Sequence, residues 1–138
     1  TFRSLIGKKL RTYSKVDRGY LTKLRDENPH LHSVFKEFAD NHFPNFRWTD
    51  ITINYMPCGA SMKLHLDKVN VGDSVLCAFG NYQGGNTFVK EEKTKHYKLF
   101  DCREKWIKFN GAKRKHFVST ITEGERFSLV FYNSKNKF

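Results

Sequence analysis

The stretch SMKLHLD (61–67) lies between WTDITINY (48–55) and SVLCAFG (74–80), and these three segments decide the fold. Each is short, rich in β-branched and aromatic residues, and bounded by Gly, Asn or Asp, which is the pattern of β-strands joined by turns. Four similar segments follow, so we predict seven or eight strands that form a barrel or a sandwich. The further predicted strands are NTFVKE (86–91), KWIKFN (105–110), HFVSTI (116–121) and RFSLVFYN (126–133).

The region before these strands predicts one amphipathic helix. Asn28 is a typical N-cap residue, and Pro29 suits the first helical position. The helix should end near His42, because Pro44 follows and the residue before a proline avoids helical geometry. The apolar residues at helical spacing are Leu31, Val34, Phe35, Phe38 and Ala39.

The chain is expected to form a single structural unit with two parts. Residues 1–45 comprise a basic lead-in and the helix, which we expect to pack on the core, and residues 46–138 form the β domain. Within the β domain, Asn110-Gly111 is the preferred dipeptide of a tight hairpin. Gly84-Gly85 similarly predicts a tight turn.

The charge of the chain favours a polyanionic partner. The 138 residues include 25 Lys and Arg against 14 Asp and Glu, a formal net charge of +11. Such an excess is typical of proteins that bind nucleic acid and less so of those that bind a membrane surface, although a solvated basic surface without a partner stays an alternative. No apolar run approaches the roughly 18 residues of a membrane helix, so we expect no membrane partner.

The cysteines indicate a reducing compartment. Cys58, Cys77 and Cys102 are odd in number and far apart, without the CxxC spacing of zinc or redox sites. The chain also begins without the apolar centre of a signal peptide, so we expect a protein that is not secreted.

Three residues are candidates for a metal site. His65 and Asp67 stand at positions i and i+2 of a predicted strand and therefore point to the same face. His116 begins another predicted strand, which folding could bring opposite them. Two His and one carboxylate on one side of an octahedral ion leave three positions open, as in non-haem Fe(II) oxygenases. The alternative is that a surface His and Asp fall together by chance.

A second constellation follows ten residues after His116. Arg126 and Ser128 lie two residues apart and therefore on one face of the predicted strand RFSLVFYN (126–133), within the run GERFSLVFY. A guanidinium that faces inward needs an anion, and it can clamp a carboxylate through two hydrogen bonds while the hydroxyl of Ser128 adds a third. An arginine at the solvated start of a strand is the alternative interpretation.

The order of these motifs resembles that of a known enzyme family. The run NYMPCGASMKLHLDKVNVGDSVLCAFGNYQGGNTFV (54–89) contains HxDxxNxGxS and GxYxGG patterns, and FNGxxxxH and GERFSLVFY follow. Together they resemble the TET/JBP family of 2-oxoglutarate- and Fe(II)-dependent nucleic-acid base dioxygenases. The resemblance covers about residues 46–133. It implies a mainly β fold with an N-terminal helix and a double-stranded β-helix core, which is jelly-roll or cupin-like.

The resemblance also implies roles for individual residues. His65, Asp67 and His116 would bind Fe(II) as the catalytic residues. Arg126 would bind the distal carboxylate of the cosubstrate 2-oxoglutarate, with help from Ser128. Asn54 would also contact the cosubstrate, and Asn70 would contact the target base.

The implied reaction uses O₂ and 2-oxoglutarate to hydroxylate the methyl group of a base, either 5-methylcytosine or thymine. We expect DNA as the partner, with RNA left open, and a monomer of nuclear or viral origin. The chain carries no recognisable DNA-binding zinc module, so binding would depend on phosphate electrostatics. The basic stretches suited to it are Lys113-Arg114-Lys115 beside His116, as substrate-binding residues, and Lys8, Lys9, Arg11, Lys93 and Lys95.

Three other functions remain open at this point. The same iron and cosubstrate residues would serve an oxygenase that acts on a protein side chain or on an alkylated base. A non-catalytic nucleic-acid-binding module that retains the barrel is a second alternative, and a plain basic structural domain is a third.

Overall fold

The computed structural model describes residues 8–14 and 29–135, which form eleven β-strands and one α-helix. All pairings between these strands are antiparallel. The elements are β1 (Lys8–Ser14), α1 (Pro29–His42), β2 (Asp50–Met56), β3 (Met62–His65), β4 (Ser74–Phe79), β5 (Tyr82–Gly84), β6 (Thr87–Lys90), β7 (Tyr97–Phe100), β8 (Trp106–Phe109), β9 (His116–Val118), β10 (Ile121–Gly124) and β11 (Arg126–Tyr132).

The strands form two principal sheets and a short ribbon. Five strands form one sheet in the order β1-β2-β11-β4-β8, and four form another in the order β3-β9-β6-β7. β10 and β5 pair separately. Because β11 lies between β2 and β4, the end of the chain is inserted between strands from its middle. This order of strands brings residues far apart in sequence into the same space.

Helix α1 covers the outer face of the five-stranded sheet. Its buried residues Phe35, Ala39 and Phe43 belong to one apolar cluster with Phe131 of β11 and with other sheet residues. The ring of Phe131 lies 5.0 Å from that of Phe43 and 5.2 Å from that of Trp48. Helix α1 has 14 residues, and among the described residues no helix is long and apolar enough to cross a bilayer.

A second apolar cluster fills the space between the two principal sheets. It combines Leu76 of β4 with Val89 of β6 and Val118 of β9, together with residues of the connecting segments. Alternation along the strands decides which cluster a residue joins, because successive side chains point to opposite faces. Along β11, Phe131 packs toward the helix, whereas Arg126, Ser128 and Val130 line a cavity between the sheets.

Most of the predicted elements are confirmed. The helix ends at His42 as predicted, and each of the seven predicted strand segments contains an observed strand. The segment 116–121 holds β9 and the first residue of β10. The predicted N-cap Asn28 and most of the predicted lead-in lie outside the described residues.

Four strands, β1, β5, β7 and β10, were not predicted from the sequence as separate elements, although the first residue of β10 ends the predicted segment 116–121. β1 falls within the segment interpreted as a lead-in, and its sequence KKLRTYS is polar because the strand forms an edge of its sheet. Edge strands are commonly rich in charge, which hides them from a search for apolar alternation. β7 is the corresponding edge of the four-stranded sheet, and β5 has only three residues.

The predicted hairpin at Asn110-Gly111 is wrong. The strands on either side belong to different sheets, since β8 pairs with β4 and β9 pairs with β3 and β6. The connection instead turns through Asn110, whose Oδ1 accepts hydrogen bonds from the backbone N–H groups of Ala112 (3.1 Å) and Lys113 (3.2 Å). Gly84 and Gly85 do adopt left-handed backbone conformations, with φ of 75° and 63°.

Replacing Phe131 by Ala should lower the free energy of unfolding by about 3–5 kcal/mol, because it empties the centre of the aromatic cluster. Phe127→Ala on the same strand is the matched control, since Phe131 is 0% exposed and Phe127 is 39% exposed. The control should cost less than about 1 kcal/mol. Urea unfolding of both variants measures the difference, and equal losses would contradict the assigned packing.

Candidate metal and cosubstrate site

The pairing of β3 with β9 brings two histidines together. His65 and His116 are register partners in this antiparallel pair, and their ring centroids are 4.2 Å apart. Asp67 follows β3 and reaches both rings. Its Oδ1 lies 3.4 Å from Nε2 of His65, and its Oδ2 lies 3.1 Å from Nε2 of His116. One ligand atom from each of the three residues therefore lies within 4.8 Å of the others.

Backbone carbonyl groups orient the two imidazole rings. Nδ1 of His65 lies 2.6 Å from the carbonyl oxygen of Lys63, and Nδ1 of His116 lies 2.8 Å from that of Arg114. A ring nitrogen in contact with a carbonyl oxygen must donate a proton to it, so the neutral ring has its lone pair on Nε2. Both Nε2 atoms are those that meet Asp67, and the donor set fits a divalent metal ion.

The electrostatics of the three side chains also suit a cation. Burial opposes ionisation of Asp67, but hydrogen bonds with His116 and His65 outweigh it and hold the pKa of this carboxyl well below its usual value. The hydrogen bond with Asp67 raises the pKa of His65, although burial acts in the opposite direction. Asp67 is therefore an anion at neutral pH, and a metal ion would compete with the proton on His65.

A cavity of about 300 Å³ opens beside these residues. It lies between the two principal sheets, and its apolar lining includes Leu76, Phe109 and Val118. Seven predicted site residues line it, namely His65, Asp67, His116, Arg126, Ser128, Asn54 and Asn70. These seven residues come from four separate stretches of sequence and meet around one space.

Arg126 is a buried cation in the wall of this cavity. Arg126 is only 1% exposed. Its terminal nitrogens donate to Sδ of Met56 (3.4 Å), Oγ1 of Thr87 (3.3 Å) and Sγ of Cys102 (3.7 Å), all of which are neutral. Its Nε has no hydrogen-bond partner, and no carboxylate of the described residues forms an ion pair with the guanidinium. A buried guanidinium without a countercharge could bind an anion.

Ser128 and Asn54 share the cavity face with Arg126. They are register partners on the adjacent strands β11 and β2, and Ser128 is buried. Their side chains add a hydroxyl and an amide beside the cation. This arrangement could bind one carboxylate of a small dicarboxylic acid.

Asn70 lies in the turn that follows Asp67. Its backbone N–H donates to the carbonyl oxygen of Asp67 (3.1 Å), and its Nδ2 donates to Oγ of Ser74 (3.4 Å). Asn70 is 6% exposed yet contributes to the cavity lining. Asn70 is therefore both a residue of this turn and part of the cavity wall.

The structure does not bring the basic run before His116 to the cavity. Lys113, Arg114 and Lys115 are absent from its lining, and Nε of Arg114 donates to the carbonyl oxygen of Lys90 (2.8 Å). Lys113 and Lys115 are exposed, as are Lys93 and Lys95 in another loop. The side chains of Lys8, Lys9 and Arg11 lie outside the described residues.

Sequence reasoning missed the neutral groups that hold Arg126. Thr87 stands on β6 two residues before Val89, and both are buried on the same face. The alternation in NTFVKE predicts that shared face, but nothing in the sequence identifies Arg126 as the partner. Met56 and Cys102 carry no local signal of their position at all.

The sequence is similar to that of a curated dioxygenase, although no family model matches it. Over 73 residues, or 53% of this chain, it is 34% identical to Tet-like dioxygenase 1 of Naegleria gruberi. The matched segment spans 22% of that relative's length, so the chain corresponds to only a part of it.

The fold is similar to that of two solved oxygenase structures. NgTET1 in complex with 5mC DNA superposes with a TM-score of 0.62 at 18% identity, over 94% of this chain and 62% of that one. An oxidoreductase of the 2OG-Fe(II) oxygenase family from Burkholderia pseudomallei gives a TM-score of 0.56 at 21% identity, over 80% and 54%.

Replacing Asp67 by Asn should weaken Mn(II) binding by more than about tenfold. Loss of a group that only orients a metal ligand already lowers affinity by about that factor, and Asp67 would itself be a charged ligand. Binding of Mn(II) to the wild type should strengthen as the pH rises through the raised pKa of His65. Electron paramagnetic resonance of free Mn(II) measures both effects. His96→Ala, at an exposed histidine of another loop, is the control. Equal affinity in the Asp67 variant would exclude it as a ligand.

The antiparallel sheets, the cavity between them and both structural similarities lead to one conclusion about the fold. The described part of the chain has the predicted double-stranded β-helix fold of the 2-oxoglutarate- and Fe(II)-dependent oxygenases.

Proposed function

We propose that this protein is a 2-oxoglutarate- and Fe(II)-dependent dioxygenase that hydroxylates the methyl group of a nucleic-acid base. One observation carries the proposal. A His-Asp-His cluster and a buried guanidinium without a counterion line the same cavity. The first is a donor set for a divalent metal, and the second requires an anion of the kind that 2-oxoglutarate would supply.

Arg126 would bind the carboxylate of 2-oxoglutarate that is distant from the metal. Its present partners are neutral, so a carboxylate would provide the missing countercharge in a site already removed from water. Ser128 would donate its hydroxyl hydrogen to the same carboxylate, and Asn54 would contribute its amide. The three residues fix where the cosubstrate lies relative to the metal ligands.

His65, Asp67 and His116 would hold Fe(II) through their Nε2 and carboxylate atoms, leaving room for the cosubstrate and O₂. When bound, Fe(II) supplies the oxidising chemistry by which 2-oxoglutarate, O₂ and a methyl group become succinate, CO₂ and a hydroxymethyl group. The carbonyl groups of Lys63 and Arg114 keep the imidazole rings oriented. Apolar side chains line part of the cavity beside these residues and would contact a bound substrate there.

The relatives and the charge of the chain support a nucleic-acid substrate. The curated relative is named a Tet-like dioxygenase, and one similar structure contains 5mC DNA. A net charge of +11 suits a phosphate backbone. We favour DNA that carries 5-methylcytosine or thymine, and the target base must be extruded or single-stranded to enter the cavity.

The rim of the cavity supports the same substrate. Val69 lines the cavity and is 57% exposed, an unusual position for an apolar side chain beside a polar site. Its carbonyl oxygen accepts a hydrogen bond from the backbone N–H of Lys135 (2.9 Å), and Lys68 precedes it, so the backbones of two exposed lysines adjoin it. Apolar contact with a base and cationic contact with phosphates would combine there. Asn70, next in sequence, would present its amide to the base.

Turnover of 2-oxoglutarate to succinate tests the proposal when it is followed by nucleoside mass spectrometry of the DNA. Methylated and unmethylated oligonucleotides, single-stranded and duplex, should be compared in the presence of Fe(II) and O₂. We expect DNA to stimulate succinate release and one base to gain an oxygen atom. The Asp67→Ala variant should yield neither product, whereas His96→Ala should match the wild type.

The other outcomes identify the remaining alternatives. Succinate without a modified base would retain the oxygenase chemistry and move the substrate to a protein side chain, which turnover of peptides would test. DNA binding without succinate would instead favour a non-catalytic module. A fully active Asp67→Ala variant would exclude the metal assignment.

Replacing Arg126 by Met should abolish the increase in unfolding temperature that 2-oxoglutarate produces with Mn(II). Without ligands this variant should be at least as stable as the wild type, because Met removes an unpaired buried charge. Arg126→Lys keeps the charge but loses the planar fork and should bind 2-oxoglutarate with intermediate affinity.

The control for this prediction is Arg103→Met. Arg103 donates to the carbonyl oxygen of Tyr82 and lies 4.0 Å from the centre of its ring, so its loss should destabilise the protein yet preserve the 2-oxoglutarate effect. An Arg126→Met protein that still responds to 2-oxoglutarate would show that the anion binds elsewhere.

A further inference from the structure

Gly111 stands in the segment that leads from β8 to the metal ligand His116. Its carbonyl oxygen accepts a hydrogen bond from the backbone N–H of Asp67 (2.9 Å), which joins this segment to the loop that carries the carboxylate. The residue is buried.

A methyl group at this position would meet the proposed metal ligands. A Cβ atom built on Gly111 would lie 2.6 Å from Oδ2 of Asp67, 3.2 Å from Cε1 of His116 and 3.5 Å from Cγ of Asp67. These are its three nearest neighbours outside the adjacent chain, and all of them belong to two ligand side chains. Carbon and oxygen atoms without a bond seldom approach below 3.0 Å.

The conformation of the backbone does not explain the glycine. Gly111 lies outside the left-handed region that six other glycines occupy. The local turn depends on the side chain of Asn110, which accepts the hydrogen bonds described above. An alanine could adopt this backbone, so the space beside Asp67 is the reason for the glycine.

We propose that Gly111 is a positioning residue of the metal site. By lacking a side chain, it lets the Asp67 carboxylate lie against Nε2 of His116, where the 3.1 Å contact places Oδ2. The inference rests on the proposed metal role of His65, Asp67 and His116. A methyl group would push Oδ2 aside, and the end of a flexible side chain can move at little cost to the fold. The ligand geometry would be lost while the protein remained folded.

The test is Mn(II) binding to the full chain carrying Gly111→Ala, measured by electron paramagnetic resonance, beside thermal unfolding without metal. We expect the dissociation constant for Mn(II) to rise by about tenfold or more, as for other groups that orient metal ligands. The unfolding temperature without metal should be unchanged or slightly higher, because alanine restricts the unfolded chain.

Gly72→Ala is the matched control from the loop after Asp67. Its added Cβ would meet nothing within 4 Å, but its φ of 72° strains any side chain. This variant should therefore lose stability and bind Mn(II) like the wild type, the opposite of the result expected for Gly111→Ala.

Three results would overturn the inference. An unchanged Mn(II) affinity in Gly111→Ala would show that the carboxylate does not need the space. A lower unfolding temperature without metal, together with weaker binding, would make Gly111 a structural residue. Failure of the wild type to bind Mn(II) would remove the proposed metal site itself. That failure would be seen in the unsubstituted protein, which separates it from the other two results.

Discussion

The guanidinium of Arg126 is held between two sheets without a countercharge from the described residues, and this constraint explains much of the structure. An unpaired buried cation opposes folding, so the surrounding structure must compensate for it. Two apolar clusters do so, one beneath helix α1 and one between the sheets. The protein thus retains a locally unfavourable group where the proposed anion would bind, so the binding role would come at a cost in stability.

Strand β11 connects this binding site to the stability of the fold. Phe131 faces the helix and the aromatic cluster, whereas Arg126 and Ser128 face the cavity. Because β11 lies between β2 and β4, its position is determined on both edges by hydrogen bonds. The two histidines of the proposed metal site lie on another sheet, where the pairing of β3 with β9 sets His65 opposite His116, and Asp67 follows β3. The proposed chemistry therefore depends on how the two principal sheets lie relative to each other.

Local patterns predicted a large part of this arrangement. Alternation placed Arg126 with Ser128 on β11, since residues two apart on a strand share a face whatever the strand pairs with. It also grouped His65 with Asp67, although β3 ends at His65 and Asp67 reaches the site from the loop that follows. Long-range register carries no such signal. The register between distant strands brings Thr87 into contact with Arg126. It also places β8 and β9 in different sheets, so Gly111 lies beside Asp67 and not in a hairpin. Charged edge strands such as β1 were missed because they lack apolar alternation.

The central claim is that one cavity binds a metal ion and 2-oxoglutarate together. A crystal structure grown without O₂, with Mn(II) and 2-oxoglutarate, tests it most directly. The account predicts Mn(II) bound to Nε2 of His65, Nε2 of His116 and the carboxylate of Asp67, and a carboxylate of 2-oxoglutarate bound to Arg126. An Mn(II) ion on other residues, or 2-oxoglutarate bound away from Arg126, would contradict it.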